Sequence, residues 1–397
     1  MFGSGATPKG GKESYLDKEE FALIRSQNVL DFSFSYEGLA YINKVQASKL
    51  NIVTVEKDDV LLNITGDSVA RVCQVPDEVL PARVNQHVAI IPPQKEKLYK
   101  SYLKYSLLNP PFKNFMFGLS SVGGTRNALT KGMIEDFKLT LPPLKIQHRI
   151  VSILSSLDDK IELNRQTNQT LEAIAQALFK EWFVDFNFPG ATGEMQDSEL
   201  GEIPKEWRVG KLGDAYKTTS GGTPSRAKME YYLNGKIPWI KSKELDNSFI
   251  TKTEKKITEA ALKNSSAKLL LRHSVLIAMY GTTVGEIGII SIEATCNQAI
   301  CAFIPNDNYP YSFIYQILKN NKADIISRAA GSAQQNISQE LLKNIPVILP
   351  PISLLKKFHK ATNGFFELIE SNLYQIKTLS QLRDNLLPKL MKGEIKI

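Results

Sequence analysis

The chain has 397 residues, 43% of them hydrophobic, enough for two or three domains with ordinary cores; no run of eighteen apolar residues offers a membrane span, and no secretory apolar segment opens it. Three cysteines (Cys73, Cys296, Cys301) lack metal-ligand spacing and point to structural thiols in a reduced, cytoplasmic setting, while four scattered histidines (His87, His148, His273, His359) give little support to a zinc site or a histidine-based triad. The net charge of +8 is uneven: +2 over 1–144, −5 over 145–204, +7 over 205–350 and +4 over 351–397, so the second half favours a polyanionic partner and the acidic centre does not.

Taken in chain order, the elements occur twice. Gly5-Ala-Thr-Pro returns as Gly221-Gly-Thr-Pro, Ile24-Arg25-Ser26 as Ile240-Lys241-Ser242, Val84-Asn85-Gln86 as Cys296-Asn297-Gln298, and Leu141-Pro-Pro as Leu349-Pro-Pro. The offset drifts from 216 to 212 to 208, as small loop insertions would produce. A repeat of roughly two hundred residues is too long for a solenoid unit and reads as a duplicated domain. Each copy opens with a Gly/Ser/Thr/Pro loop. Short β-rich segments follow, such as 52–55 and 61–64 in the first copy and 275–279 and 287–290 in the second. Then come a helix (98–108, 311–319), a polar Gly-rich loop (121–127, 330–336) and a strand ending in Leu-Pro-Pro. The mixture predicts a compact α/β-type lobe of about 140 residues in each copy.

Each copy closes with a long amphipathic helix, the first spanning 146–182. Positions 150, 154, 157, 161, 164, 168, 171, 175, 178 and 182 form a stripe stepping by four and three, and adding 208 gives a second stripe from Phe358 to Leu390. A 3.5-residue stripe is a coiled-coil seam, and each helix is the other's obvious partner. The seam comprises Leu154, Leu157, Ile161, Asn164, Leu171 and Leu178 on one side and Phe365, Ile369, Asn372, Leu379 and Leu386 on the other. Asn164 and Asn372 occupy equivalent positions, where a buried amide would fix the register by finding its mate. Between the first helix and the second lobe, residues 187–204 are rich in Gly, Pro and acidic side chains, as in a linker.

Two features bear on chemistry. Asn109-Pro110-Pro111-Phe112 has the form used by adenine-N6 methyltransferases to hold a target amino group. It follows a helix here, and no glycine-rich strand–turn–helix precedes it, so a helix stop is the better reading. No Walker, Gly-x-Ser-x-Gly or His-Glu-x-x-His motif is present. The polar loops are the candidate binding elements: Thr7, Lys9 and Lys12 open the first copy, and Ser220, Thr223, Arg226 and Lys228 open the second. Thr125, Arg126, Asn127 and Lys131 follow in the first copy, with Ser332, Gln334, Gln335 and Asn336 in the second. Arg, Lys, Asn and Gln read base edges, while Ser, Thr and backbone amides hold phosphates. Arg25, Lys241 and Lys243 are expected to support backbone contacts.

At these residues the chain resembles the specificity subunit of a type I restriction–modification system over essentially its full length. The resemblance rests on Ser220-Gly-Gly-Thr-Pro-Ser, Gly235-Lys-Ile-Pro-Trp-Ile, the Leu-Pro-Pro-Leu-Lys-Ile-Gln-His-Arg-Ile run at 141–150, Leu171-Glu-Ala-Ile-Ala-Gln-Ala-Leu-Phe-Lys, and the ending from Asn385. It implies a mixed α/β (α+β) fold with two pseudo-repeated target-recognition domains, 1–142 and 205–350. Two long antiparallel helices, 143–186 and 351–397, would separate them as a coiled coil. It further implies that each domain reads half of a split double-stranded DNA site, and that the helices set the spacer and dock two modification (methyltransferase) subunits. Restriction (translocase/nuclease) subunits would join through the complex. Catalysis would then lie outside this chain, with S-adenosylmethionine, ATP and Mg2+ expected in the partner subunits. A stand-alone adenine methyltransferase and a DNA-free coiled-coil scaffold are the alternatives. One departure stands out: the second lobe has a lead-in, Glu206 to Tyr216, expected to be its first strand, whereas Met1 already aligns with Lys217. Either the sequence begins inside the domain or another segment supplies that strand.

Overall fold

The duplication returns as strand order. In the computed structural model, which describes residues 3–7, 11–92, 96–121, 127–329 and 336–397, contacts divide the chain into two compact units. One is Met1–Ile161 with Thr378–Ile397, and the other is Glu162–Lys377. The helices in chain order are α1 (Lys44–Ser48), α2 (Lys100–Leu108), α3 (Pro110–Ser120), α4 (Lys131–Glu135), α5 (Leu144–Phe183), α6 (Leu212–Ala215), α7 (Glu259–Lys263), α8 (Tyr311–Asn320), α9 (Lys322–Ala329), α10 (Gln339–Lys343) and α11 (Ile352–Met391).

The first unit holds strands β1 (Gly3–Ser4), β2 (Phe21–Ile24), β3 (Ala40–Ile42), β4 (Thr54–Val55), β5 (Val60–Asn63), β6 (Val72–Gln74), β7 (Ala82–Val84) and β8 (Val88–Ile91). They form an antiparallel sheet in the order β1-β8-β5-β6 and a second sheet, β3-β2-β7-β4, in which β2 and β7 run parallel. All four residues of β5 are buried because the strand has core on both faces. Val60 and Leu62 pack toward α2 and the long helices, and Leu61 packs toward the second sheet, as the two-residue alternation of a strand requires.

The second unit holds β9 (Met195–Gln196), β10 (Ile203–Pro204), β11 (Arg208–Lys211), β12 (Lys217–Ser220), β13 (Ile237–Ile240), β14 (Ser248–Ile250), β15 (Lys255–Ile257), β16 (Val275–Ala278), β17 (Ile287–Ile290), β18 (Thr295–Cys296), β19 (Ile300–Ile304) and β20 (Pro346–Leu349). The order β12-β19-β16-β17 repeats β1-β8-β5-β6, with β14 added in parallel, and the parallel pair β13–β18 repeats β2–β7. The alternation repeats too, with Val275 and Ile277 in one cluster and Leu276 and Ala278 in the other.

One sequence expectation is corrected. The strand expected before Leu141-Pro-Pro does not form: residues 137–143 carry no strand, whereas β20, at the equivalent place, pairs with β11. A strand needs a neighbour for its amides, and only the second unit has that neighbour among the described residues. Residues 187–204, read as a linker, contain the β9–β10 hairpin, bury Ile203 and set Phe188 against Trp207. The two compact units share both long helices between them. Asn109-Pro110 does break a helix as read: α2 ends at Leu108 and α3 begins at Pro110, whose missing N–H costs nothing in a first turn.

α5 and α11 have 40 residues each, about 60 Å at 1.5 Å per residue. None of the seam positions read from sequence is exposed. Within the first unit the beginning of α5 meets the end of α11, through Ile150, Leu154, Leu387 and Leu390, and Asp158 Oδ1 accepts from Arg383 at 2.9 Å. Within the second unit the remaining halves run antiparallel again, through Phe179, Trp182, Phe358 and Ile369. The two seam asparagines do not find each other: Asn164 donates to Gln375 at 3.3 Å and Asn372 donates to Asn168 at 2.8 Å. Antiparallel halves bring each amide opposite a residue about one turn from its equivalent, so each takes the nearest polar partner.

All three cysteines are buried and free, and burial pushes their thiols up to about 12, which leaves them inert as structural residues. His359 on α11 shares a hydrogen bond with Ser312 at 3.0 Å, and burial lowers its pKa from 6.5. The folded second unit therefore binds fewer protons there than the unfolded chain. The stabilisation is complete above about pH 6.5 and is lost as pH falls through the lowered value. In thermal unfolding measured from pH 8 to pH 5, His359→Gln should flatten the acid-side fall in melting temperature, and an unchanged slope would remove His359 from the cause.

Candidate nucleic-acid interface

Both lobes carry a loop end built to the same plan. Gly5 and Gly221 lie where a Cβ would sit 1.6 Å from the Val84 carbonyl oxygen and 2.1 Å from that of Cys296, so only glycine lets the opening loop approach this strand end. Two residues on, Thr7 donates to Gln86 Oε1, and Thr223 donates to Gln298 Oε1. The turn carrying each glutamine is fastened by Asn85 N to Ile24 O at 3.0 Å and by Asn297 N to Ile240 O at 2.9 Å. Those carbonyls immediately precede Arg25 and Lys241.

The later polar loop is anchored beside this turn in both copies. Ile64 N bonds His87 O at 3.0 Å and Leu129 N bonds Ile64 O at 2.8 Å; in the second copy Met279 N bonds Ala299 O at 2.8 Å and Ile337 N bonds Met279 O at 2.9 Å. Isolated bridges Thr65–Ala128 and Tyr280–Asn336 complete the match. Gly66 and Gly281 follow with φ of 75° and 76°, a left-handed turn that glycine makes without strain. In the first lobe a side-chain chain runs from Thr7 through Gln86 to His87 and on to Thr65, the last link being 2.6 Å. The result is a polar, solvent-facing rim that joins opening loop, turn and later loop.

The sequence-predicted residues fall into three groups. Thr7 and Thr223 are central to this rim, and Ser220 braces it, donating to Gln339 at 2.7 Å while Gln339 donates to Thr218. Asn127 is exposed and its carbonyl accepts from Gly66; Arg226 is exposed, and Lys228 is exposed beside Tyr231 OH at 3.1 Å. Lys131 opens α4 and pairs with Glu135 at 3.6 Å. A second group is held within its own lobe: Arg25 donates to the Gly38 carbonyl and lies over the Tyr15 ring, while Lys241 and Lys243 share Glu254 at 2.7 and 2.8 Å. Hydrogen bonds from these two lysines hold the Glu254 carboxyl down at about 2. Third, Lys9, Thr125, Arg126, Ser332, Gln334 and Gln335 lie outside the described residues, as does the side chain of Lys12.

Sequence reasoning passed over Gln86, Gln298, Thr65, His87 and the exposed Tyr280 as rim residues. The signal was present, since Asn85-Gln86 and Asn297-Gln298 are among the few strings kept in both copies. The rim offers hydroxyls, amides and cations on a rigid strand end, which suits hydrogen bonding to base edges and phosphates.

A family model described as the type I restriction modification DNA specificity domain matches residues 3–173 and again 204–377. The chain belongs to the type I restriction–modification specificity family. Among its relatives, the type I restriction enzyme MjaIX specificity subunit of Methanocaldococcus jannaschii is 30% identical over 80% of this chain and 74% of the relative. The type I restriction enzyme HindI specificity subunit of Haemophilus influenzae is 28% identical over 94% of both chains. The crystal structure of the type I restriction–modification S subunit from M. genitalium shares the fold, with a TM-score of 0.57 at 16% identity over 98% of this chain and 93% of that one. As a specificity subunit this chain is the DNA-recognition component of a restriction–modification complex, and the stand-alone methyltransferase reading of Asn109-Pro-Pro-Phe falls away.

The glycine contacts give a direct check on the rim. Gly221→Ala should destabilise the second unit by about 2 kcal/mol or more in urea unfolding, because backbone must move to admit the methyl group. Gly364→Ala, on α11 with open space around its Cβ, should stabilise it by roughly 0.5–1 kcal/mol. Equal effects at the two positions would contradict the packing described.

Proposed function

We propose that each lobe reads one half of a bipartite double-stranded DNA site with its loop rim. In this reading the rims enter the major groove with Thr7, Asn127, Thr223, Arg226 and Lys228 among the reading and phosphate-holding residues. Lys9, Lys12, Thr125, Arg126, Gln334 and Gln335 belong to the same set of DNA-contacting residues, and Arg25, Lys131, Ser220, Lys241 and Lys243 support them. The observation that carries the proposal is the pairing of kept scaffold with changed surface. Thr–Gln bonds, strand-end glycines and loop anchors recur in both lobes, while the side chains they present differ.

The long helices then act as a ruler for the unread base pairs and as the docking surface for two modification subunits, with restriction subunits joining through the complex. The chain itself is non-catalytic, and S-adenosylmethionine, ATP and Mg2+ belong to its partners. It works in the cytoplasm; among the described residues no helix is long and apolar enough to cross a membrane.

The ruler makes the reading testable. Inserting four residues into one long helix should change the number of unread bases between two unaltered half-sites in a map of methylated adenines from cells carrying the complex. Altered half-sites with a constant spacer would overturn it.

A further inference from the structure

The connection from β5 to β6 and its counterpart from β16 to β17 are the same loop, bond for bond. In the first lobe Val69 N bonds Gly66 O at 3.1 Å, Ala70 N bonds Asn63 O at 2.9 Å and Arg71 N bonds Ser68 O at 3.2 Å. In the second, Val284 N bonds Gly281 O at 3.2 Å, Gly285 N bonds Ala278 O at 2.9 Å and Glu286 N bonds Thr283 O at 2.9 Å. Both loops stand on the rim, at the bridges Thr65–Ala128 and Tyr280–Asn336. With the backbone so closely matched, only the side chains distinguish what the two loops present.

They differ in charge at one exposed position. Asp67 stands where the second lobe has Thr282, and both are exposed. Among the described residues Asp67 has no ion-pair or side-chain hydrogen-bond partner. On a surface that meets a polyanion, phosphates repel a free carboxylate, which is favourable there only against a hydrogen-bond donor.

Beside Asp67 the protons of the first rim are ordered. Gln86 Oε1 accepts from Thr7, so its Nε2 donates to His87 Nε2 at 3.2 Å. A neutral ring then carries its proton on Nδ1, which donates to Thr65 Oγ1 at 2.6 Å. The Thr65 hydroxyl thus accepts within the protein and keeps its own proton for an outside acceptor. In the second lobe Tyr280 and Ala299 replace Thr65 and His87, and this chain cannot form. Two residues apart, the first rim offers one committed donor and one committed acceptor.

We propose that Asp67 is a specificity-determining residue that accepts from N4 of a cytosine in the half-site read by the first lobe. The proposal rests on the reading in which the rims enter the major groove. There only cytosine N4 and adenine N6 donate, while guanine and thymine present acceptors. Adenine sets its N7 acceptor beside N6, where it repels a carboxylate; cytosine has a C–H at that place. On the other side of the cytosine amine lies O6 of the paired guanine, an acceptor suited to the Thr65 proton. The second rim, with Thr282 in this position, carries no such preference.

Methylated adenines mapped in cells carrying the complex define both half-sites, and competition between duplexes for the purified complex measures each base preference. One half-site is expected to contain a cytosine whose replacement weakens binding about tenfold or more. Asp67→Ala should abolish that preference. Asp67→Asn, whose amide both accepts and donates, should shift it to adenine, with the other half-site and the spacer unchanged. A site lacking any C·G pair in both halves, or preferences unaltered in both variants, would overturn the assignment. Arg226→Ala on the second rim separates this failure from that of the rim reading. If it weakens binding while the Asp67 variants change nothing, the rims read DNA without Asp67. If all three variants bind and select as the unaltered complex does, the rim reading falls as well.

Discussion

The antiparallel pairing of α5 with α11 inside each unit is the constraint on which the remaining structure depends. Each half-seam buries apolar side chains against its opposite number, and the lobe's own helix is then tied to α5 by charge. In the first unit Asp158 receives Arg383 at 2.9 Å, Lys104 at 3.0 Å and Tyr105 OH at 2.6 Å. In the second, Glu172 receives Lys319 and Tyr315 OH. Such buried pairs roughly break even against apolar replacements, whereas stranding one partner costs about 3–5 kcal/mol. Their contribution is therefore chiefly to register: a slip along the seam would part Asp158 from Arg383, two largely buried groups. Asn164 and Asn372 act in the same sense with neutral amides.

On this frame sit sheets whose order is conserved between copies, and on the sheet ends sit the rims. Glycines at 5 and 221 are fixed by clearance from a carbonyl, and Thr7 and Thr223 are fixed by their glutamines. The residues between these anchors are free to differ without disturbing either sheet. That separation between anchored backbone and variable side chains is what a protein needs if it is to read different sequences with one fold. The basic balance of the second lobe, +7 over 205–350 against +2 over 1–144, fits two rims that differ in how they engage a polyanion.

Much of this was legible from the chain. The 3.5-residue stripes, 150–182 and 358–390, lie inside the two long helices, and the span read for the first, 146–182, comes within two residues of its start and one of its end, because period and length are strong signals. The repeat marked out the two lobes and kept Gly5, Thr7 and Gln86 with their counterparts, although the bond between threonine and glutamine was not read from it. Less legible were features set by neighbours in space. Residues 138–141 and 346–349 stand at equivalent places before Leu-Pro-Pro, and among the described residues only the second has a strand, β11, to pair with. Glu254, ten residues from Glu244 in an unremarkable stretch, gathers Lys241 and Lys243 and ties two candidate DNA contacts into ion pairs. The partner of each seam asparagine depended on helix stagger, which periodicity alone does not define.

The most direct test exchanges the second lobe's rim for that of a relative while keeping the seam. Residues 221–228, 296–299 and 330–336 would be replaced together, and methylated adenines mapped in cells carrying the complex. The expected result is a new second half-site beside an unchanged first half-site and an unchanged spacer. A changed spacer, or an alteration in both half-sites, would contradict a rim that reads independently of the helical frame.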